Sequence, residues 1–255
     1  MLHLGTVTWM LAADWDLDTL LARCEETGFE GVELRTTHAH GVEPELDATG
    51  REHVRRRFEA SPVQLVGLGT VYEYHALDVE VLRANIEGTK RAIELAADVG
   101  AQGVKVRPNG HQESAGVPRA RTLEQIGYAL AECGEYAAGK GVELRLEMHG
   151  SVASAPDIAQ ILRACGHPSV KVCWNCEGVD VKGGSVREAF DLMRGHVGLV
   201  HVRELWDPGY PYRELFALLS AADYGGFCLA EIGGNPDPVR LMRYYCALWQ
   251  ELVAR

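Results

Sequence analysis

The chain has no excess of positive charge. Its 25 Lys and Arg stand against 36 Asp and Glu, a formal net charge of −11. Binding to nucleic acid or to an anionic membrane needs a positive surface, so neither is expected as a partner. A small anionic ligand stays open, because it needs only a few local cations. No apolar run approaches the about 18 residues that span a bilayer. Met1–Gly5 shows no basic stretch leading into an apolar one, so no signal peptide is expected. Gly67 and Gly69 lack the third glycine and the helix start of a dinucleotide loop. There is no G-x-S-x-G elbow and no H-E-x-x-H pair. The cysteines number seven, at positions 24, 133, 165, 173, 176, 228 and 246, with no paired framework. Cys173 and Cys176 form a C-x-x-C, but no second pair completes the four ligands of a structural zinc site. Reduced, mostly buried thiols of a cytoplasmic protein are expected.

What is present is a regular alternation. Short apolar runs at 4–9, 31–35, 63–68, 103–107, 142–148, 170–174, 197–202 and 227–232 are rich in Val and Leu, as in strands buried on both faces. Amphipathic stretches follow them at 16–27, 47–60, 79–99, 122–138, 155–165, 185–193, 212–222 and 238–254. Several stop at or near glycine, namely Gly28, Gly100, the pair Gly139 and Gly141, Gly166 and Gly195, as left-handed helix ends do. Alternating strands and helices imply a parallel sheet. A unit of roughly 32 residues, repeated through a chain near the ~250 residues of such folds, favours closure. The expected fold is α/β, one (β/α)8 TIM barrel over residues 1–255.

The polar residues inside these strands carry the chemistry. Side chains two apart share a strand face. Glu33 with Arg35, Lys105 with Arg107, Glu147 with His149, and His201 with Arg203 each share one, and Glu231 shares the face of Leu229. The opposite faces are apolar. Charges turned to the helix layer would be buried unpaired, at several kcal/mol each. The charged face is therefore expected to line the lumen. All these residues fall near the C-terminal ends of their strands, where barrels build active sites. Buried ion pairs would explain any single pair of them, but five strands converging on one rim are costly to build without a ligand. Glu147, Asn175, His201 and Glu231 come from the last four strands. Two carboxylates, an amide oxygen and an imidazole suit one divalent ion, Mn²⁺, Mg²⁺, Co²⁺ or Zn²⁺.

These segments resemble a family. Glu147-Met148-His149-Gly150, His201-Val202-Arg203-Glu204, Ile232 after Glu231, and Gly28-Phe29-Glu30-Gly31-Val32-Glu33 are similar to motifs of the xylose isomerase-like sugar phosphate isomerases/epimerases. The resemblance runs the length of the chain and implies the same barrel. It implies one metal held by Glu147, Asn175, His201 and Glu231. Asn175 stands where the family has Asp, which implies weaker metal binding or none. Gly178 stands where a His is frequent. The implied activity is isomerisation or epimerisation of a keto sugar or related polyol through an enediolate, with Glu147 and Glu231 moving the proton. Substrate contacts are expected from His149, Arg203, Lys105, Arg107, His75, Glu33 and Trp9. Loops carrying His38, His40, Glu73, His75 and Asp180 are expected to select the sugar, with an unphosphorylated one favoured. The closest rival is a lyase or dehydratase that expels a leaving group from the same enediolate. A non-catalytic sugar-binding relative is another. Apurinic-site endonuclease chemistry lacks its His-rich metal cluster here. The apolar last helix, with Tyr244, Tyr245, Leu248 and Trp249, is expected to pack either on the barrel or on a partner copy in a homo-oligomer.

Overall fold

A computed structural model describes residues 1–254. Eight strands are present: β1 (His3–Val7), β2 (Gly31–Arg35), β3 (Gln64–Gly69), β4 (Gly103–Val106), β5 (Glu143–Glu147), β6 (Val170–Asn175), β7 (Val197–Val202) and β8 (Phe227–Ala230). They pair in chain order, all parallel, and β8 returns to β1 to close the barrel. The main helices are α1 (Leu17–Thr27), α2 (Ala48–Glu59), α3 (Val79–Val99), α4 (Arg119–Lys140), α5 (Ala155–Cys165), α6 (Arg187–Met193), α7 (Tyr212–Ala221) and α8 (Pro238–Val253). The α/β fold is thus the single TIM barrel expected from the alternation.

Local signals set the helix ends. Asp16, Asp47, Asp78, Ser154 and Asp237 each accept a backbone N–H of the first turn. Gly28 and Gly100 stop α1 and α3 at φ of 80° and 81°, a conformation a Cβ disfavours. The fourth helix starts earlier than the Thr122 expected, at Arg119. Pro118, with φ −56°, already sits in backbone suited to a helix start. The sixth is shorter than expected, because Lys182 and Ser185 pair as a bridge just before it.

The two strand faces separate cleanly. Val32, Leu34, Val104, Val106, Leu146, Met148, Val200 and Val202 join the helices in the main apolar cluster. Val7, Val66, Cys173, Leu199, Phe227 and Leu229 form a second, smaller cluster inside the barrel, with Trp9 against it. The inward face therefore has an apolar plug, and the charged residues share that face. In the C-x-x-C, Cys173 belongs to the inner cluster and Cys176 to the outer one. All seven cysteines are free thiols. Tyr245 and Trp249 of α8 pack on the barrel, while Tyr244 is 61% exposed. Among the described residues, no helix is long and apolar enough to cross a membrane.

Candidate active site

Strand ends bring Glu147, Asn175, His201 and Glu231 together. Asn175 and His201 are partners in register across β6 and β7, and Glu231 follows β8 directly. His201 Nδ1 lies 3.2 Å from Glu147 Oε1 and 3.8 Å from Glu231 Oε1. Asn175 Nδ2 donates to Glu147 Oε1 at 3.2 Å, and its Oδ1 accepts from Arg203 Nε at 3.3 Å. The Lys105 ammonium closes the other side of Glu147, donating to Oε2 at 2.8 Å. Arg203 also pairs with Glu177 and lies 3.3 Å from Glu231 Oε2. That Glu231 oxygen is buried and makes no hydrogen bond.

The remaining expected contacts lie around this centre. Arg107 Nη2 donates to Glu73 Oε1 at 2.9 Å, and His75 Nδ1 is 3.7 Å from Glu73 Oε2. His149 Nδ1 bonds Asn109 Oδ1 at 2.7 Å. Asn109 also donates to Glu73. Asn109 thus ties the β3 and β4 loops to His149, a link that sequence reasoning missed because Pro108-Asn109-Gly110 reads only as a turn. Its φ of 59°, visible only in the structure, marks a specialised position. Trp9 is half-buried over the inner cluster. Glu33 has no exposed surface and lies behind His201, 3.4 Å from Nε2. Arg35, sharing its face, has no carboxylate within ion-pair reach among the described residues, and its Nη1 donates to Thr36. Lys105, Arg107 and Arg203 all have such partners.

Two expected sugar-selecting residues are committed elsewhere. His40 is buried, bonding Arg35 O through Nε2 at 2.8 Å and accepting Val42 N–H on Nδ1 at 3.0 Å. Burial lowers its pKa to about 4. Asp180 is buried and takes the Tyr210 hydroxyl, which in turn accepts from Trp174 Nε1 at 2.9 Å. Both ring nitrogens of His40 are thus engaged within its loop, while Asp180 keeps Oδ1 buried without a hydrogen bond.

The electrostatics follow from burial against pairing. Burial works against an ionised Glu147, but Lys105 and then His201 overcome it and hold its pKa well below the carboxylate range. Burial likewise opposes charge on His201, and the surrounding Cys173, Glu33 and Glu231 raise its pKa well above the usual imidazole value. Burial of Lys105 is outweighed by Glu147 and Glu33, which raise its pKa.

The donor set fits a divalent ion. Ligand atoms of Glu147, His201 and Glu231 lie within 4.8 Å of one another, and the unbonded Glu231 Oε2 leaves acceptor capacity there. Carboxylate oxygens with one imidazole suit Mn²⁺, Co²⁺ or Zn²⁺. Asn175, in the orientation seen, turns its oxygen to Arg203 instead. Three rather than four ligand atoms therefore face the centre.

A closed parallel barrel with carboxylates, an imidazole and cations at its C-terminal mouth defines the architecture of a (β/α)8 protein with a polar site. The match of a family model over residues 21–247 makes the assignment specific: the chain belongs to the xylose isomerase-like TIM barrel family. No curated protein matches it by sequence. Among solved structures it is similar to 3-keto-D-glucoside 4-epimerase from E. coli, at TM-score 0.79 and 16% identity over 98% of this chain and 99% of that one. An L-ribulose 3-epimerase gives TM-score 0.80 at 17% identity, covering 99% and 95%. The IolI protein, solved with a zinc atom, gives 0.71 at 15%, covering 98% of each. At these identities the likeness establishes the fold.

Proposed function

We propose that the chain is an epimerase or isomerase of a keto sugar or related polyol, with Glu147 and Glu231 as its proton-transfer residues. The observation that carries this reading is the Glu147–His201–Glu231 cluster, its ligand atoms within 4.8 Å at the barrel mouth. The sugar 3- and 4-epimerases among its structural neighbours support the same class.

Glu147, His201 and Glu231 would hold one divalent ion, with Asn175 as a fourth ligand once its amide turns. Such an ion, when bound, supplies Lewis-acid polarisation of the substrate carbonyl. The chain does the rest. One glutamate carboxylate takes the proton from the carbon beside the carbonyl, and the other returns a proton to the opposite face or the neighbouring carbon. Lys105 at 2.8 Å keeps Glu147 ionised and so able to accept a proton. Arg203, braced by Glu177, orients Glu231 and offers its guanidinium to a sugar oxygen. Arg107, His75 and Trp9 would hold hydroxyls or the ring face.

One observation favours the lyase outcome. His149 donates Nδ1–H to Asn109 Oδ1, so Nε2 would be the acid for a leaving group on the same enediolate when the ring is protonated. The test is metal content of wild type against Glu231→Ala, followed by keto sugars in D2O under NMR. About one ion per chain, lost in the variant, with deuterium entering beside the carbonyl, supports the proposal. An unsaturated product absorbing in the ultraviolet selects the lyase. Binding of the sugar with no exchange in metal-loaded protein refutes catalysis and leaves a binding protein.

A further inference from the structure

Glu33 takes no part in the proton transfer proposed above, yet it is a carboxylate with 0% exposure. Neither of its oxygens makes a hydrogen bond. An unpartnered buried carboxylate is strongly unfavourable, so its place calls for a reason. The sequence itself makes room for it. A Cβ at Gly69 would stand 2.6 Å from Glu33 Oε1, and one at Gly67 3.6 Å from Oε2. β3 thus leaves a hollow on its inward side that the Glu33 side chain fills.

The group facing Glu33 is also incomplete. His201 has 0% exposure, and its Nε2 is buried without a hydrogen-bond partner. Nε2 lies 3.4 Å from Glu33 Oε1, so a closing of a few tenths of an ångström (~0.5 Å) makes a charge-assisted hydrogen bond. The other ring nitrogen, Nδ1, faces Glu147 and Glu231. Glu33 therefore faces the opposite ring nitrogen from Glu147 and Glu231, and it has no exposed surface.

We propose that Glu33 is a positioning residue that receives the Nε2 proton of His201 and so commits Nδ1 to the Glu147–Glu231 side. A neutral imidazole offers one donor and one acceptor, and the partner of the donor fixes which nitrogen is the ligand. Carboxylates behind metal-binding histidines act in this way. Glu33 replaces the substrate contact expected of it with a contact to a ligand residue. The inference rests on the proposed metal-binding role of His201.

The experiment uses protein carrying ¹⁵N-histidine, as wild type and Glu33→Gln, with and without Zn²⁺ as the probe. His201 signals are assigned by their loss in His201→Gln. The wild type is expected to show a protected Nε2 proton in both conditions and a zinc-shifted Nδ1. In folded Glu33→Gln, zinc affinity falls by about 10–100-fold and the Nε2 proton exchanges faster. Unchanged zinc affinity with an unchanged Nε2 signal overturns the proposal and leaves Glu33 a space-filling residue. A wild type that binds no zinc removes the metal reading, while its Nε2 signal still decides whether Glu33 holds the ring. If Glu33→Gln does not fold, Glu33→Asp, which withdraws the carboxylate by one methylene, gives the same readouts.

Discussion

Replacing Lys105 with Met tests whether the charged layer inside the barrel is held by mutual compensation. The ammonium and the Glu147 carboxylate are 2.8 Å apart, with side chains 5% and 2% exposed. Met nearly matches the lysine stem in volume, so the main loss is the charge. Glu147 then remains ionised in a dry interior, near Asn175 Nδ2 and His201 Nδ1 but without its closest cation. Breaking a buried pair from one side costs about 3–5 kcal/mol. Against a total stability of about 5–15 kcal/mol, that is a large fraction. Urea unfolding of metal-free protein should show the midpoint falling with little change in slope. Adding Glu147→Gln to Lys105→Met should restore much of the loss, a coupling of about 1–3 kcal/mol. Excess Mn²⁺ should also restore stability to the single variant, because a bound cation compensates Glu147. A loss below about 1 kcal/mol in the single variant, or simple additivity in the double, would refute the reasoning.

Three further outcomes follow from the geometry. Asn175→Asp adds a carboxylate beside Glu147 and opposite Arg203; metal-free protein should lose stability while Mn²⁺ affinity by calorimetry rises about tenfold or more, an order set by one added charged ligand, and an unchanged affinity would mean the residue stands off the ion. His40, with its pKa lowered from 6.5 to about 4, binds fewer protons folded than unfolded between those values, so its contribution is complete above pH 6.5 and is lost as pH falls towards 4. The full loss is about 3 kcal/mol, of which roughly 2.5 kcal/mol falls between about pH 7.5 and 4.5, and that difference in unfolding free energy should shrink in His40→Asn. Gly69→Ala places a Cβ 2.6 Å from Glu33 Oε1; displacing that side chain should destabilise by about 1–3 kcal/mol in urea melts, and a neutral substitution would mean Glu33 can retreat.

Much of the fold was legible because burial on both faces leaves little freedom in composition. The Val-rich runs Val104–Val106 and Val197–Val202 read as interior strands and are strands. The two-residue alternation also sorted Glu147, His201 and Lys105 onto the inward face, since the other face meets helices. Applied to Arg145, two residues before Glu147, the same rule places a guanidinium inside the barrel, and it is there, donating to Val66 O at 2.8 Å. What alternation does not encode is whether a polar group already has a partner. His40 and Asp180 looked like ligands for a sugar, but both nitrogens of the first are taken by the backbone of its own loop and one oxygen of the second by Tyr210. Glu33 looked like a substrate contact for the same reason. Its depth is set by glycines on the neighbouring strand, more than 30 residues away in the chain.

The inner cluster of Val7, Val66, Cys173, Leu199, Phe227 and Leu229 gives the barrel a blind end. Among the described residues that apolar floor leaves the strand-end mouth as the way in, so a metal ion and a sugar entering in turn would leave in the reverse order. A cation seated on Glu147 and His201 lies deepest, so a sugar above it would act as a stopper. Chelators should then strip the centre slowly when the mouth is filled and quickly when it is free, a kinetic ordering imposed by the floor of the barrel and not by the affinity of any ligand.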